Sequence, residues 1–192
     1  MDKKNNEFIS LSVKLMVIVA VVVLLLAVAN ELTEDKITQL SAEASSKARQ
    51  ELIADATLFE DITAEISLSE TEAKTISKVY RAGDGTETGI LGYCVDVTVS
   101  GFGGDIDLIV AISSDGRVYG LKTINHTETA GIGSDALDPE DELIPRYEGV
   151  VFSEIEGIEA KSGATVTSVA VKTGVQSAVS IVSRIIGEGG NS

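Results

Sequence analysis

An unbroken apolar run from Leu15 to Ala29 constrains this chain most. Extended back to Ile9, it is long enough to cross a bilayer as a helix, and Lys14 near its start can snorkel to the interface. Lys3, Lys4 and Lys14 precede the run, whereas Glu31, Glu34 and Asp35 come after it. That asymmetry predicts a single-pass anchor in the cell membrane, with a cytoplasmic N-terminus and an extracytoplasmic remainder. The alternative is a cleaved signal peptide ending near Ala27-Val28-Ala29.

The rest of this 192-residue chain is too short for more than one medium domain. Thr33 to about Ala56 reads as an amphipathic helix capped by Thr33, with Ile37, Leu40, Ala44, Ala48 and Leu52 near helical spacing. Strand-like alternation begins at Ile76. Leu91–Val99, 106–112 and Val118–Ile124 read as strands, with Leu108, Val110 and Ile112 on one face. Gly101-Phe102-Gly103-Gly104 and Ser114-Asp115-Gly116 mark the turns between them. Residues 134–150 read as a loop with a short helix, and Val150–Ile158 as a short strand or turn. Val166–Ile186 is helical, with Val171, Val175, Ala178, Val182 and Ile185 on one face, stopped by Gly187 and Gly189-Gly190. The expected fold class is α+β: a single N-terminal transmembrane helix, then an antiparallel sheet packed with helices. The expected organisation is an N-terminus and anchor over 1–30, a helical spacer over 31–74 and an extracytoplasmic domain over 75–192.

A formal charge of −15 argues against nucleic acid and against anionic lipid headgroups as partners. One cysteine, Cys94, and one histidine, His126, exclude an internal disulfide, a four-thiolate cluster and a multi-histidine metal site. Cys94 lies in a strand-like alternation and reads as a small buried apolar residue. No nucleophile sits in a recognisable context beside His126, so no catalytic residue is assigned and hydrolase chemistry finds no support.

Ser162-Gly163-Ala164-Thr165-Val166-Thr167-Ser168 stands just before the last helix. Small residues leave its backbone open to close approach. The unpaired N–H groups and the dipole of a helix start suit a phosphate there. Without further information the stretch is also an ordinary N-cap. A second stretch, His126-Thr127-Glu128-Thr129-Ala130-Gly131-Ile132-Gly133, comes directly after the last meander strand.

Together these stretches resemble the FMN-binding domain family of membrane-associated flavoproteins. The first resembles its S/T-G-A-T attachment site, and the second its H-x-E-T-P-G-L-G segment, with Ala130 for proline and Ile132 for leucine. The resemblance covers roughly residues 75–186. It implies FMN held covalently as a phosphoester on Thr165, with Ser162, Gly163 and Ala164 flanking the attachment point. It also implies a flavin pocket that involves His126, Glu128, Thr129, Gly131 and Gly133. Gly131 and Gly133 would let backbone approach the ring; Glu128 and Thr129 would supply hydrogen bonds or orient the loop. For His126, a strand-end residue bonded to its own loop is the equal alternative. In the family a magnesium-dependent flavin transferase splits FAD and leaves FMN on the threonine. The family has Asp six residues before that threonine; this chain has Glu159. Lys161 is placed to offset phosphate charge or to face solvent.

Length and a single anchor look most like the G-subunit family of Rnf-type ferredoxin:NAD oxidoreductases. The implied role is electron relay beside other subunits of an ion-translocating membrane complex, rather than catalysis by the chain alone. The C-subunit family of sodium-translocating NADH:quinone oxidoreductases shares both motifs. A stand-alone extracytoplasmic FMN carrier and a non-redox anchored binding domain are the other readings.

Overall fold

The computed structural model describes residues 2–86 and 89–189. The chain divides into two compact units, Met1–Glu43 and Ala44–Ser192. Helix α1 runs without a break over Asp2–Leu52. Within the first unit, the side chains of residues 11–31 are exposed all round, including the whole Leu15–Ala29 run. By length and composition this helix is apolar enough to cross a membrane. The side chains of Lys3, Lys4, Glu34 and Asp35 lie outside the described residues.

Thr33 does not start a second helix. Its hydroxyl donates to the Ala29 carbonyl at 2.7 Å, a bond one turn back inside a continuous helix. No Gly or Pro interrupts the segment, so the helix has no reason to stop before Leu52. The expected spacer over 31–74 is therefore not helical throughout. Leu58–Asp61 forms a strand, β1, which pairs with β2, and residues 44–74 fall in the second unit.

The second unit is built on a five-stranded antiparallel meander: β1, β2 (Ile76–Gly83), β3 (Ile90–Ser100), β4 (Asp105–Ser113) and β5 (Val118–His126), adjacent in chain order. The three anticipated strands are present. The short β1 carries too little alternation to be read from sequence. Helix α2 (Glu72–Thr75) leads into β2, and α3 (Gly133–Ala136) and α4 (Phe152–Ile155) lie between β5 and α5 (Thr165–Gly189). The stretch expected as a strand or turn at Val150–Ile158 thus holds a helical turn. Helix α5 passes through Gly187 to Gly189, and Gly190 lies outside the described residues. A single glycine costs a helix only about 1 kcal/mol, which packing offsets.

Each face of the sheet has its own core. On one face Leu108, Val110 and Ile112 meet Val171, Val175, Ala178, Val179 and Val182 of α5. All five α5 residues are fully buried, so α5 is a core helix although its length and composition also suit a membrane span. On the other face Ala48 and Leu52 of α1 pack with Ile53, Ala82, Cys94, Ile109 and Ala111. Because β4 is covered on both faces, it reads as near-continuous apolar sequence rather than strict alternation. Small residues let α1 approach closely: a Cβ at Gly120 would lie 3.2 Å from Leu52 Cδ2. Burial pushes the Cys94 thiol up to about 12, consistent with a structural rather than reactive cysteine.

Two charged pairs tie α1 to this face: Glu51 with Lys122 of β5, and Arg49 with Asp96 of β3. Arg49, only 8% exposed, donates from Nη1 to both Asp96 oxygens at 3.1 and 2.9 Å. Its guanidinium stacks over the Tyr80 ring at 4.0 Å. Burial pushes the Asp96 carboxyl above the usual carboxylate range, against the opposing pull of Arg49.

Candidate functional site

Two loops separated in sequence meet at the N-terminus of α5. The first is the turn between β3 and β4, closed by Gly101 N–H donating to the Gly104 carbonyl at 2.7 Å. Into it folds Glu128, from the loop after β5. Glu128 is 8% exposed, and its Oε1 accepts from the N–H groups of Phe102 at 2.7 Å and Gly103 at 3.4 Å. Glycine at 101 is required: a Cβ there would stand 1.9 Å from Oε1. The other oxygen, Oε2, is buried and has no hydrogen-bond partner among the described residues. Such a group normally has one, because an unpaired buried acceptor costs about 1–3 kcal/mol.

The remaining residues of this loop set its shape. His126 ends β5, and its Nδ1 accepts the Glu128 N–H at 3.3 Å. Thr127 donates to the Gly103 carbonyl at 3.2 Å. The exposed Thr129 accepts at its carbonyl from Ile132 and Ser134, each at 3.3 Å. Gly131 takes a φ of 78°, a backbone that other residues adopt only with strain.

The second loop leads into α5. Gly163 turns with a φ of 84°, and Ala164 N–H donates to the Lys161 carbonyl at 3.1 Å. Buried Ser168 clips the turn shut: its hydroxyl accepts from Lys161 N–H at 3.0 Å and donates to the Ala164 carbonyl at 2.9 Å. Lys161 pairs through its ammonium with Asp141, and this bond holds the Asp141 carboxyl below the usual range. Ser162, Thr165 and Glu159 are exposed. Thr165 opens the helix with its hydroxyl accessible.

The two loops enclose a cleft of about 320 Å³. Glu128, Gly133, Gly163, Ala164 and Thr165 line it together with Phe102, Ile132, Val166 and Thr167. The structure thus joins five of the residues singled out in the two motifs. His126, Thr129, Gly131 and Ser162 are not in the lining; the first three shape the loop behind it. In the sequence Phe102 reads only as part of a turn, and Thr167 only as one hydroxyl among several. Their signal is the double glycine after Phe102 and the buried helical phase of Thr167, which lies 1% exposed. Gly133 is confined: a Cβ would sit 2.2 Å from Glu128 Oε2 and 2.9 Å from Thr167 Oγ1.

The cleft offers exposed apolar side chains, with Phe102 at 71%, Ile132 at 53% and Val166 at 51% exposed. Against them stands one unpaired carboxylate acceptor. At its edge are an accessible hydroxyl and a helix N-terminus that favours an anion. This set fits a planar, largely apolar group with an N–H on its edge and a phosphate at its tail.

Residues 101–180, which contain both loops and most of α5, match the family described as FMN-binding domain. Among curated proteins, the chain is 30% identical over 184 residues to the G subunit of the ion-translocating oxidoreductase complex of Methanosarcina acetivorans, across 93% of this chain and 96% of that one. It is 29% identical to the G subunit of the Na(+)-translocating ferredoxin:NAD(+) oxidoreductase complex of Acetobacterium woodii, across 87% of each chain. It is 27% identical to the G subunit of the proton-translocating ferredoxin:NAD(+) oxidoreductase complex of Clostridium ljungdahlii, across 97% of each. The chain belongs to this family of ion-translocating oxidoreductase complex G subunits.

Proposed function

We propose that this chain is the electron-relaying G subunit of an ion-translocating ferredoxin:NAD oxidoreductase, carrying FMN as a phosphoester on Thr165. One observation carries the reading. The exposed Thr165 and Glu128, whose buried Oε2 has no partner among the described residues, line one cleft, although the two lie in different motifs. The similarity to G subunits from three organisms supports this reading over that of a quinone-reductase C subunit. The exposed apolar surface of α1 supports a membrane anchor. Lysines before the run and acidic residues after it support an extracytoplasmic domain. The partners are then the other subunits of the complex and, for attachment, a flavin transferase.

Each residue has a task that its geometry suits. Thr165 provides the ester oxygen, and the first-turn N–H groups of α5 offset phosphate charge. Phe102, Ile132, Ala164 and Val166 keep water from one face of the ring slot. Glu128, held in place because Oε1 is fixed by the Phe102 and Gly103 amides, would offer its unpaired oxygen to an N–H on the ring edge. Its charge opposes the arrival of further negative charge beside it. Gly163 and Ala164 leave room for a transferase to reach the hydroxyl. FMN, when bound, supplies the electron-accepting and electron-donating ring. Covalent attachment keeps it from being lost outside the cytoplasm. Ion movement belongs to other subunits, because the apolar helix carries no carboxylate within Leu15–Ala29.

Peptide mass spectrometry of the protein from native membranes tests the reading. An FMN-sized adduct on the Thr165 peptide, stable to denaturation and lost in Thr165→Val, is expected. An unmodified Thr165 in cells with an active flavin transferase would overturn it.

A further inference from the structure

His126 is the sole histidine of the chain, and it stands where β5 runs into the Glu128 loop. It does not line the cleft. Its half-buried imidazole instead accepts the Glu128 N–H at Nδ1, over the same two-residue span that an aspartate or asparagine closes in an Asx-turn. A ring nitrogen that accepts carries no proton, so this imidazole is neutral with its hydrogen on Nε2.

The segment closed by that bond has no slack. Thr127 donates to the Gly103 carbonyl, and Glu128 Oε1 accepts from the Phe102 and Gly103 amides. A Cβ at Gly103 would stand 2.4 Å from the Thr127 carbonyl oxygen and 3.0 Å from Glu128 Cα; one at Gly104 would stand 2.1 Å from Thr127 Oγ1. Residues 126–128 are thus sewn to the turn between β3 and β4, and a change at the Glu128 N–H reaches its carboxylate. Histidine is the side chain whose charge ordinarily changes between about pH 5 and 8. A proton taken from solvent onto Nδ1 turns the acceptor into a donor facing the Glu128 N–H, and the bond is lost.

Other charges around the imidazole are already engaged. On β4 its register partner Ile106 is flanked by Asp105 and Asp107, which accept from Ser100 and Thr98. On α3, Asp135 accepts from Ser134. Residues 97–100 of β3 and 165–171 of α5 carry no charge. Neither these carboxylates nor Glu128 forms an ion pair with His126 among the described residues. We infer, resting on the FMN reading above, that His126 is a positioning residue that ties the flavin potential to pH: the neutral imidazole holds Glu128 at the cleft, and the protonated one releases it. Both consequences of protonation act in one direction. The added positive charge and the loosened carboxylate each favour an extra electron on the ring. The midpoint potential therefore rises on acidification by more than flavin protonation alone gives.

Two readouts on the full-length chain in detergent test this. With isotope-labelled histidine, the sole imidazole gives one pair of nitrogen NMR resonances. In the neutral ring these should report the Nε2–H tautomer, in the flavinylated protein and in Thr165→Val alike. An Nδ1–H tautomer overturns this inference alone. Spectroelectrochemical titration across the histidine range is the second readout. His126→Asn keeps a side-chain acceptor for the Glu128 N–H but takes no proton. On acidification the one-electron reduction constant should gain about fivefold more in the parent than in His126→Asn, the factor that one ordinary hydrogen bond carries. In a Glu128→Gln background that difference should shrink, because no carboxylate charge remains to be released. Identical pH profiles for the parent and His126→Asn overturn the inference, and so does a difference undiminished by Glu128→Gln. An absent adduct on Thr165 overturns the FMN reading and this inference with it.

Discussion

Gly133→Ala probes how tightly Glu128 is wedged. The new Cβ would lie 2.2 Å from Oε2, 2.9 Å from Cδ and 2.9 Å from Thr167 Oγ1. Relief needs a retreat of about 1 Å, given normal contact distances. Glu128 has nowhere to go without loss, because Oε1 is held by Phe102 N–H at 2.7 Å and Gly101 closes the other side. Overpacking costs about 1–3 kcal/mol, and weakening a hydrogen bond to a charged group adds about 1–2 kcal/mol. The sum is about 2–5 kcal/mol, which for a domain near 150 residues lowers the melting temperature by roughly 4–20 °C. Thermal unfolding of the full chain, tracked by far-UV circular dichroism, reads this directly. Glu128→Ala supplies the control background. With the carboxylate gone, Gly133→Ala should cost less than half as much, leaving only the Thr167 contact. A Gly133→Ala protein that melts with the parent refutes the wedge. So does an equal cost in both backgrounds.

The same geometry sets four further outcomes. Glu128→Gln should raise the flavin midpoint potential in spectroelectrochemical titration by about 40 mV, the one-electron equivalent of about 1 kcal/mol of removed repulsion; no change or a fall contradicts its placement at the ring. Ser168→Ala leaves Lys161 N–H without its acceptor in a part-buried turn, so about 1–3 kcal/mol of stability should go, with faster amide exchange confined to 161–165. Arg49→Met leaves the part-buried Asp96 without its guanidinium partner, at a cost of about 2–4 kcal/mol measured by urea unfolding, below that of a fully buried pair; Asp96→Asn in that background should restore part of it. Asp141 has a folded pKa below its unfolded value, so its stabilisation is present above the unfolded carboxylate range and lost as pH falls through the lowered value. Proteolysis of the 141–161 region should therefore rise on acidification below about pH 4, and Asp141→Asn should abolish that rise.

Much of the fold was legible because periodicity is a local property. Strands β3 and β5 alternate, β4 is a short apolar run bounded by turns, α5 repeats its apolar residues at helical spacing, and the turns carry glycine where the backbone needs it. The short β1 was not legible. Four residues, of which only Phe59 is part-buried, carry too little pattern, and their role depends on β2 lying alongside. Thr33 misleads because a hydroxyl that caps a helix in one setting bonds back along it in another. At the site, the tetrad at Thr165 and the Glu128 loop were each readable as motifs. Their relation was not, since no local signal says that one oxygen of Glu128 would spend itself on the Phe102 turn while the residue lines the cleft that Thr165 borders.

The sequence by itself determined the apolar span, the antiparallel meander, the final helix and the two segments from which the site is made. Each is dictated by side-chain period, turn chemistry and residue type over a short window. Only the tertiary structure decided which charges remain available. Lys161, adjacent to the tetrad, is taken by Asp141, whereas Lys74, from α2, has no hydrogen-bond or carboxylate partner among the described residues and lines a groove that Thr165 shares. Chain proximity sets which residues are neighbours along a loop. Strand register and the packing of α5 set which ones share a cavity, and it is the cavity that a ligand meets.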